Sequence, residues 1–350
     1  MTTKEKVLLE LSKNKNSVVS GESLAASCGV SRAAIWKAVD SLRKAGCNIE
    51  GTTNGGYIIT ETSDAFSKEI VAGFFYGRFP EFKSSLIECF SEIDSTNTHA
   101  KKLLSECGAL RNENGKLTDD GKKLNNALIV AEKQTAGRGR LGRTFVSPFR
   151  TGIYLSLIYI PEGGITEPAR LTAFSAVAVC RVIKRLYKID SAIKWINDIF
   201  VEGKKVCGIL TEGFANFETG KIESAVIGIG INIEYNRESF KGEVSKTAGS
   251  LLKKKRDSEP GRAELAAEIA GEVLRIFNEP AADVLKEYKS LSFIIGRELQ
   301  VRPLTTEEET YSATAVDIDE NASLVVELPD GTKRTLSSGE VSLGSGKLAE

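Results

Sequence analysis

The densest run of chemically capable residues in this chain is Gly137-Arg138-Gly139-Arg140-Leu141-Gly142-Arg143. Between positions 133 and 150 lie five cations, Lys133, Arg138, Arg140, Arg143 and Arg150, and no acidic residue. Glycines between arginines let the backbone approach a ligand closely, and guanidinium groups offer fixed forks to phosphate or carboxylate oxygens. The segment reads as an anion site, with a solvated basic turn or a nucleic-acid contact as the competing reading of the loop taken alone. It also contains GxGxxG. A dinucleotide-binding loop needs a helix to start inside it so that the helix N-terminus meets a pyrophosphate, whereas Thr144-Phe145-Val146-Ser147-Pro148 leads towards another strand.

Two further segments are unusual for plain scaffold: Lys194-Trp195-Ile196-Asn197-Asp198 at a strand end, and Lys205-Val206-Cys207-Gly208-Ile209-Leu210 after a Gly-Lys turn. Each alone has an ordinary explanation, since a lysine opening an apolar strand snorkels to the surface and Asn-Asp favours a turn. Composition narrows the chemistry. His99 is the only histidine, which removes most Ser-His and Cys-His mechanisms for want of a neutral-pH base. Cys28, Cys47, Cys89, Cys107, Cys180 and Cys207 form no CxxC pair and read as buried free thiols, not as a zinc site or disulfide framework.

These residues need elements to position them. A chain of 350 residues with 41% hydrophobic content is expected to fold as two or three domains. Val7, Leu8 and Leu11 predict a helix over 3–12, and a second fits 22–28 after a Ser20 cap. Gly29 breaks it. Ser31 caps a third helix to about Lys44, with Ile35, Val39 and Leu42 inward and Arg32, Trp36, Lys37 and Arg43 outward. Short β runs at 48–51 and 57–60, joined by Thr53-Asn54-Gly55-Gly56, complete a winged helix-turn-helix. From 64 to about 290 the pattern is α+β: a helix after Asp94-Ser95, strands at 127–132 and 152–159, a helix at 168–187, a meander at 193–195, 199–201, 206–210 and 225–233, and helices at 262–277 and 281–291. Residues 108–126 are polar and turn-rich, a surface insertion expected to be mobile. Short strands at 298–302, 312–317, 323–327 and 333–336 suggest a small β-barrel.

Read together, five segments resemble the biotin protein ligase family in its own motif order: Asp94-Ser95-Thr96-Asn97, the run from Gln134 to Arg143, Lys194 to Asp198, Lys205 to Leu210, and Gly228-Ile229-Gly230-Ile231-Asn232. The resemblance covers nearly the whole chain. Val30-Ser31-Arg32-Ala33-Ala34-Ile35 and Ser337-Ser338-Gly339-Glu340-Val341 are similar to the repressor-type members, which implies three domains: winged helix-turn-helix at 1–62, catalytic α+β domain at 63–292 and SH3-like barrel at 293–350. Ile196 where the family usually has proline, Leu141 where it often has a basic residue, and a long insertion at 108–126 are departures that touch no charge the chemistry needs.

The resemblance implies a two-step ligation through biotinyl-5'-AMP, the intermediate and corepressor, with biotin and ATP as substrates and Mg²⁺ bridging phosphate oxygens rather than held by direct protein ligands. By that resemblance Ser95, Thr96, Asn97, Gln134, Arg138, Gly139, Arg140 and Lys205 bind biotin, while Gly137, Arg140, Arg143, Asn197 and Asn232 face the nucleotide. Arg138, Arg140 and Lys205 are the catalytic cations, and Asp198 is a candidate to orient or deprotonate the carrier lysine. Ser95 or Asp94 could equally cap a helix. The glycine-arginine loop is expected to be mobile when empty and to fold over the adenylate.

Lys+Arg and Asp+Glu total 47 each, so any DNA contact must be regional. Residues 1–60 carry 8 basic and 5 acidic side chains, a net charge of +3. Ser31, Arg32, Trp36 and Lys37 would face bases or phosphates, with 52–56 as the wing. A winged helix also serves as a protein-docking module. The implied partners are a biotin carboxyl carrier protein, operator DNA and, with adenylate bound, a second copy of the chain. The N-terminus carries no signal pattern and no apolar run reaches membrane-spanning length, so a cytoplasmic location without membrane contact is expected. Two rivals remain at this point, a lipoate ligase and a ligand-sensing repressor without ligase activity.

Overall fold

The computed structural model describes residues 1–52, 55–61, 66–216, 220–234, 240, 244–253, 260–303 and 309–343. The chain opens with α1 (Thr3–Lys13), β1 (Val19–Ser20), α2 (Gly21–Cys28), α3 (Arg32–Lys44), β2 (Asn48–Gly51) and β3 (Gly56–Glu61). Each helix starts on a hydroxyl cap: Thr2, Ser20 and Ser31 accept from the amides of Glu5, Ser23 and Ala34, satisfying donors that a helix start leaves open. Gly29 ends α2 at φ 68, a left-handed position that suits glycine. α3 buries Ile35, Ala38, Val39 and Leu42 in one core with Val7, Leu8 and Leu11 of α1; each large aliphatic side chain contributes about 1.5–3 kcal/mol there. The strands order β1-β3-β2. Thr52 brackets the wing, its amide donating to Gly56 O (2.9 Å) and its hydroxyl accepting from Gly56 N (3.0 Å). Thr53 and Asn54 of the expected turn, and the expected boundary at 62/63, lie outside the described residues.

α4 (Lys68–Arg78) comes next and is missing from the sequence reading. It is buried from Ile70 to Phe75, so it carries no one-sided apolar stripe to reveal it. The central region then runs β4 (Ile87–Phe90), α5 (Thr96–Glu106), α6 (Asp119–Leu124), β5 (Ala127–Ala131), β6 (Gly152–Tyr159), α7 (Pro168–Tyr187), β7 (Ala192–Lys194), β8 (Asp198–Val201), β9 (Lys204–Ala215), β10 (Ile222–Asn232), α8 (Val244–Thr247), α9 (Arg262–Ile276) and α10 (Ala281–Leu291). Its seven strands order β4-β5-β6-β10-β9-β8-β7, with β4 and β5 parallel and the other ladders antiparallel. Alternation divides the two faces: Leu128 and Val130 of β5 join the large core with α7 and α9, while Ala127 and Ile129 join a smaller one with Ala100 of α5. α4 ties this body to the first three helices, giving Leu8 and Leu9 of α1 room at Gly73 and Gly77 and pairing Arg78 with Glu264 (3.3 Å) and Glu268 (3.0 Å) of α9.

Residues 108–126 carry defined structure, with an Arg111↔Leu117 bridge and α6 capped by Thr118. The Arg111 guanidinium donates to the carbonyls of Pro161 and Glu223, and Leu110, Leu117 and Leu124 fill the smaller core. Three leucines spread over a polar stretch give no helix or strand period, which is why the sequence suggests only a surface loop. The last strands, β11 (Glu298–Arg302), β12 (Tyr311–Ile318), β13 (Leu324–Glu327), β14 (Lys333–Leu336) and β15 (Glu340–Leu343), pair antiparallel in the order β14-β13-β12-β11-β15. Among the described residues no ladder joins β14 to β15, so strand pairing does not close the expected barrel. Trp195 Nε1 donates to Ala322 O (2.9 Å) and Arg170 to Glu320 O (2.7 Å), fastening this sheet to the central body. All six cysteines are free thiols; Cys89 and Cys107 are only partly buried, contrary to the fully buried expectation. No helix is long and apolar enough to cross a membrane among the described residues.

Candidate active site

A cavity of about 430 Å³ opens over β6, β9 and β10, roofed by the glycine-arginine loop and flanked by the N-terminus of α5 and by β11 and β15. Its floor is bare for steric reasons. A Cβ at Gly228 would collide with Asn97 Oδ1, one at Gly230 with the Phe145 ring, and one at Gly208 would stand 3.2 Å from Phe145 and 3.3 Å from Lys205 Nζ. Glycine at these strand positions is what lets other side chains lie directly on the sheet.

One stretch of the lining is a row of buried, uncharged polar groups. Ser95 is the N-cap of α5, accepting from Thr98 N, so its capping role is realised in the cavity wall. Ser95, Thr96 and Asn97 are 2%, 3% and 4% exposed, and buried polar groups at such depth must be hydrogen-bonded. Gln134 Oε1 accepts from Thr96 N (2.9 Å) and Thr96 Oγ1 (3.1 Å), while its Nε2 donates to Ser147 Oγ (2.9 Å). Ser156 Oγ lies 2.7 Å from Thr96 Oγ1 and 2.6 Å from Asn97 Oδ1. Asn97 Nδ2 donates to Glu212 Oε2 (2.9 Å) and Leu210 O (3.4 Å). Glu212 also takes Lys101 Nζ at 3.0 Å and Arg138 Nη2 at 3.6 Å. Burial is the largest single influence on this carboxyl and raises its pKa, but the hydrogen bonds from Asn97 and Lys101 and the charges of Lys101 and Arg138 together outweigh it, holding the group below its ordinary value.

A second stretch of the lining is cationic. Arg138, Arg140, Arg143, Lys194, Lys205 and Arg302 face it, with Asp198 as the one acid among the described residues. The roof is a narrow hairpin, bridged at Gln134↔Ser147 and Arg138↔Thr144 and turned through Leu141 (φ 56) and Gly142 (φ 73). Arg140 spans two parts of the molecule: Nη1 donates to Asn197 Oδ1 (3.0 Å) and Nη2 to Gly339 O (3.0 Å). Asn197 is fixed in turn by donating Nδ2 to Ile209 O (3.0 Å). Lys205 Nζ stands 2.6 Å from Asp198 Oδ1, close enough for an ion pair although not aligned as a hydrogen bond. Fixed cations beside a buried, uncharged polar row suit an anionic ligand that also carries a polar uncharged group, and they stabilise charge gathering on its oxygens.

The structure gathers Ser95, Thr96, Asn97, Gln134, Arg138, Gly139, Arg140, Arg143, Asn197, Asp198 and Lys205 around this one cavity. Gly137 and Asn232, expected at the nucleotide, are not in its lining. A Cβ on Gly137 would strike Phe145 O, so this glycine serves the hairpin crossing. Asn232 is 6% exposed and donates Nδ2 to Gly249 O (3.0 Å), clamping the chain after β10. Sequence reasoning missed Ser156, Lys101 and Glu212, which stand outside every motif, and the contribution of Gln300, Arg302 and Ser342 from the last sheet. A Thr-Glu pair continuing an apolar strand past Leu210 was the only signal for Glu212. Away from the cavity, Ser31, Arg32, Trp36 and Lys37 are all exposed on α3, with Trp36 60% so. Arg32 pairs with Glu22 of α2 at 2.7 Å on this open face.

Comparison with known proteins follows the same divisions. A model of the Biotin/lipoate A/B protein ligase family matches residues 112–232, an HTH domain model residues 3–58, and a Biotin protein ligase C terminal domain model residues 295–344. The chain is 30% identical over 356 residues to the Bifunctional ligase/repressor BirA of Bacillus subtilis, covering 98% of this chain and 99% of that protein. With the Bifunctional ligase/repressor BirA of Escherichia coli it shares 28% identity over 330 residues, 93% of each. Among solved structures, the biotin protein ligase from Aquifex aeolicus in complex with biotin and ATP is similar at a TM-score of 0.57 and 22% identity, over 74% of this chain and 98% of that chain, a likeness of fold.

Proposed function

The chain belongs to the family of bifunctional biotin protein ligases and repressors, and from that premise we propose how its parts divide the work. The protein is an ATP-dependent biotin protein ligase and a DNA-binding repressor. The biotin carboxylate attacks the α-phosphorus of ATP, the new C(O)–O–P bond replaces the α–β anhydride bond, and pyrophosphate leaves. A carrier lysine amine then attacks the carbonyl carbon, AMP leaves with the bonding pair, and the amine loses its proton.

Arg138, Arg140 and Lys205 gather the carboxylate and α-phosphate, with Arg143 nearer the nucleotide. Asn197, which accepts from Arg140, orients that guanidinium. Asp198 orients or deprotonates the carrier lysine. Ser95, Thr96, Asn97 and Gln134 take the ureido ring of biotin, whose two N–H donors and one carbonyl acceptor suit short polar side chains. No group of three ligating His, Cys, Asp or Glu side chains exists among the described residues. The cationic lining would hold the triphosphate of ATP, and Mg²⁺ bound with it would neutralise charge on the departing pyrophosphate. The three working units are read as 1–62, 63–292 and 293–350. In the first, α3 enters the major groove of operator DNA, and biotinyl-5'-AMP promotes the two-fold dimer that a palindromic operator needs.

The observation that carries the ligase reading is the convergence of Arg138, Arg140 and Lys205 with the Thr96–Gln134 polar row in a single cavity. Its test is incorporation of labelled biotin into a biotin carboxyl carrier domain with ATP and Mg²⁺, alongside lipoate as competitor. Lys205→Ala and Arg138→Ala are each expected to lower the rate roughly 10²–10³-fold. A folded wild type that leaves the carrier unlabelled, or that prefers lipoate, would overturn it.

A further inference from the structure

An acid on a surface that meets DNA needs a reason, because phosphate repels it. Glu5, Glu10 and Asp40 have theirs within their own helices: Glu5 accepts from the amide of the Thr2 cap, Glu10 pairs with Lys13 at 2.9 Å and Asp40 with Lys44 at 2.7 Å. Glu22 instead reaches from the first turn of α2 to Arg32, the first residue of α3, with Oε2 2.7 Å from Nη2. Both side chains are open to solvent, 79% and 71% exposed, so the pair adds little to stability. Its consequence is where it holds the guanidinium. Ser31 and Ala33 beside Arg32 are exposed and small, which lets this end of the helix come close to a base edge.

We infer that Arg32 reads a guanine in the operator and that Glu22 is the positioning residue for that contact. This rests on the placement of α3 in the major groove. Arginine carries only donors, and guanine alone offers two acceptors side by side there, O6 and N7. Adenine and cytosine put an amino donor on that edge, and thymine a single acceptor oxygen beside its methyl. One Nη2 N–H is taken by Glu22, and Arg32 makes no other hydrogen bond among the described residues, which leaves the rest of the fork for the base. The carboxylate also decides against a phosphate. A Glu–Arg pair is neutral as a unit, so it gains little from the anionic backbone, while exclusion of water at the interface strengthens the pair itself.

The test uses the full chain with biotin, ATP and Mg²⁺ and a pool of random-sequence duplexes, from which bound sequences are selected. Wild type should enrich sites with a fixed guanine, and 7-deazaguanine there, which lacks the N7 acceptor, should weaken binding roughly tenfold. The double variant Arg32→Ala/Glu22→Gln removes the pair without leaving a bare acid. It should accept any base at that position, ignore 7-deazaguanine and bind the selected site roughly 5- to 150-fold more weakly, with the slope of log affinity against log salt unchanged. Glu22→Ala frees Arg32 for a phosphate, so the guanine preference should fall roughly tenfold while the salt slope steepens by about 1. Glu22→Gln, whose Oε1 still accepts from Arg32, should keep most of the preference. Biotin transfer by each variant, expected at the wild-type rate, shows that the chain is folded. Indifference of wild type to 7-deazaguanine, or a salt slope that falls by about 1 in the double variant, would overturn the guanine contact. Unchanged preference and slope in Glu22→Ala would remove Glu22 from it. A wild type that enriches no sequence would overturn the placement of α3 itself, and the inference with it.

Discussion

Asp198 and Lys205 touch across β8 and β9 at 2.6 Å, so each influences what the other can do. An acid paired with Lys205 becomes free to meet a carrier lysine once a carboxylate or phosphate has drawn Lys205 away. Asp198→Asn is therefore expected to leave pyrophosphate release within about threefold of wild type while slowing transfer to the carrier roughly 10²–10⁴-fold, the range of lost general-base catalysis. Measuring the half-reactions separately checks it. Equal slowing of both would make Asp198 a partner of Lys205 alone. At this scale the motifs gave most of the site by residue type. They could not supply Ser156 or Glu212, because a serine in an apolar strand and a glutamate after one are ordinary until the fold sets them beside Asn97.

Two elements carry predictions of their own. The hairpin from Gln134 to Ser147 is held to the rest of the site by Arg140 through Asn197 and Gly339, and its turn is exposed at Leu141, 54% accessible. If it closes over the adenylate to exclude water, biotin with ATP should slow tryptic cleavage at Arg138, Arg140 and Arg143 by roughly tenfold. Cleavage at the same rate with and without ligands would show that the hairpin does not close. On α3, exposed Lys37 is suited to a phosphate contact. Lys37→Ala should weaken operator and random DNA alike and reduce the slope of log affinity against log salt by about 1. An unchanged slope would remove Lys37 from the DNA face. α3 was legible from its cap and apolar spacing, and the segment from Gly137 to Arg143 as a glycine-arginine loop, though not as a hairpin. α4 was not, since a helix buried along its centre has no polar face to give it a period.

For the whole molecule the prediction concerns coupling. α4 packs on both α1 and α9, fastening the DNA-binding unit to the central body. The last sheet meets the same body at Trp195 and Arg170 and contributes to the cavity wall. Packed contacts thus join the body that holds the cavity to both outer units. Biotinyl-5'-AMP is expected to shift the protein from monomer towards dimer in sedimentation equilibrium and to tighten operator binding by about 5- to 150-fold, the usual span of coupling between sites. Identical operator affinity with and without the adenylate would separate the two activities.

By itself the sequence determined the three helices and hairpin of the first unit, the α+β order of the second and the type of chemistry, because caps, apolar periods and clustered arginines are local properties. Only the tertiary structure decided which polar groups meet. The cavity floor depends on Gly228 and Gly230 lying under Asn97 and Phe145, residues 131 and 85 positions away along the chain. Residues 108–126 join the smaller core where Leu110, Leu117 and Leu124 pack and Arg111 meets the carbonyls of Pro161 and Glu223. Such pairings are set by the register of β6, β9 and β10, and register is a property of strands against one another that no single segment contains.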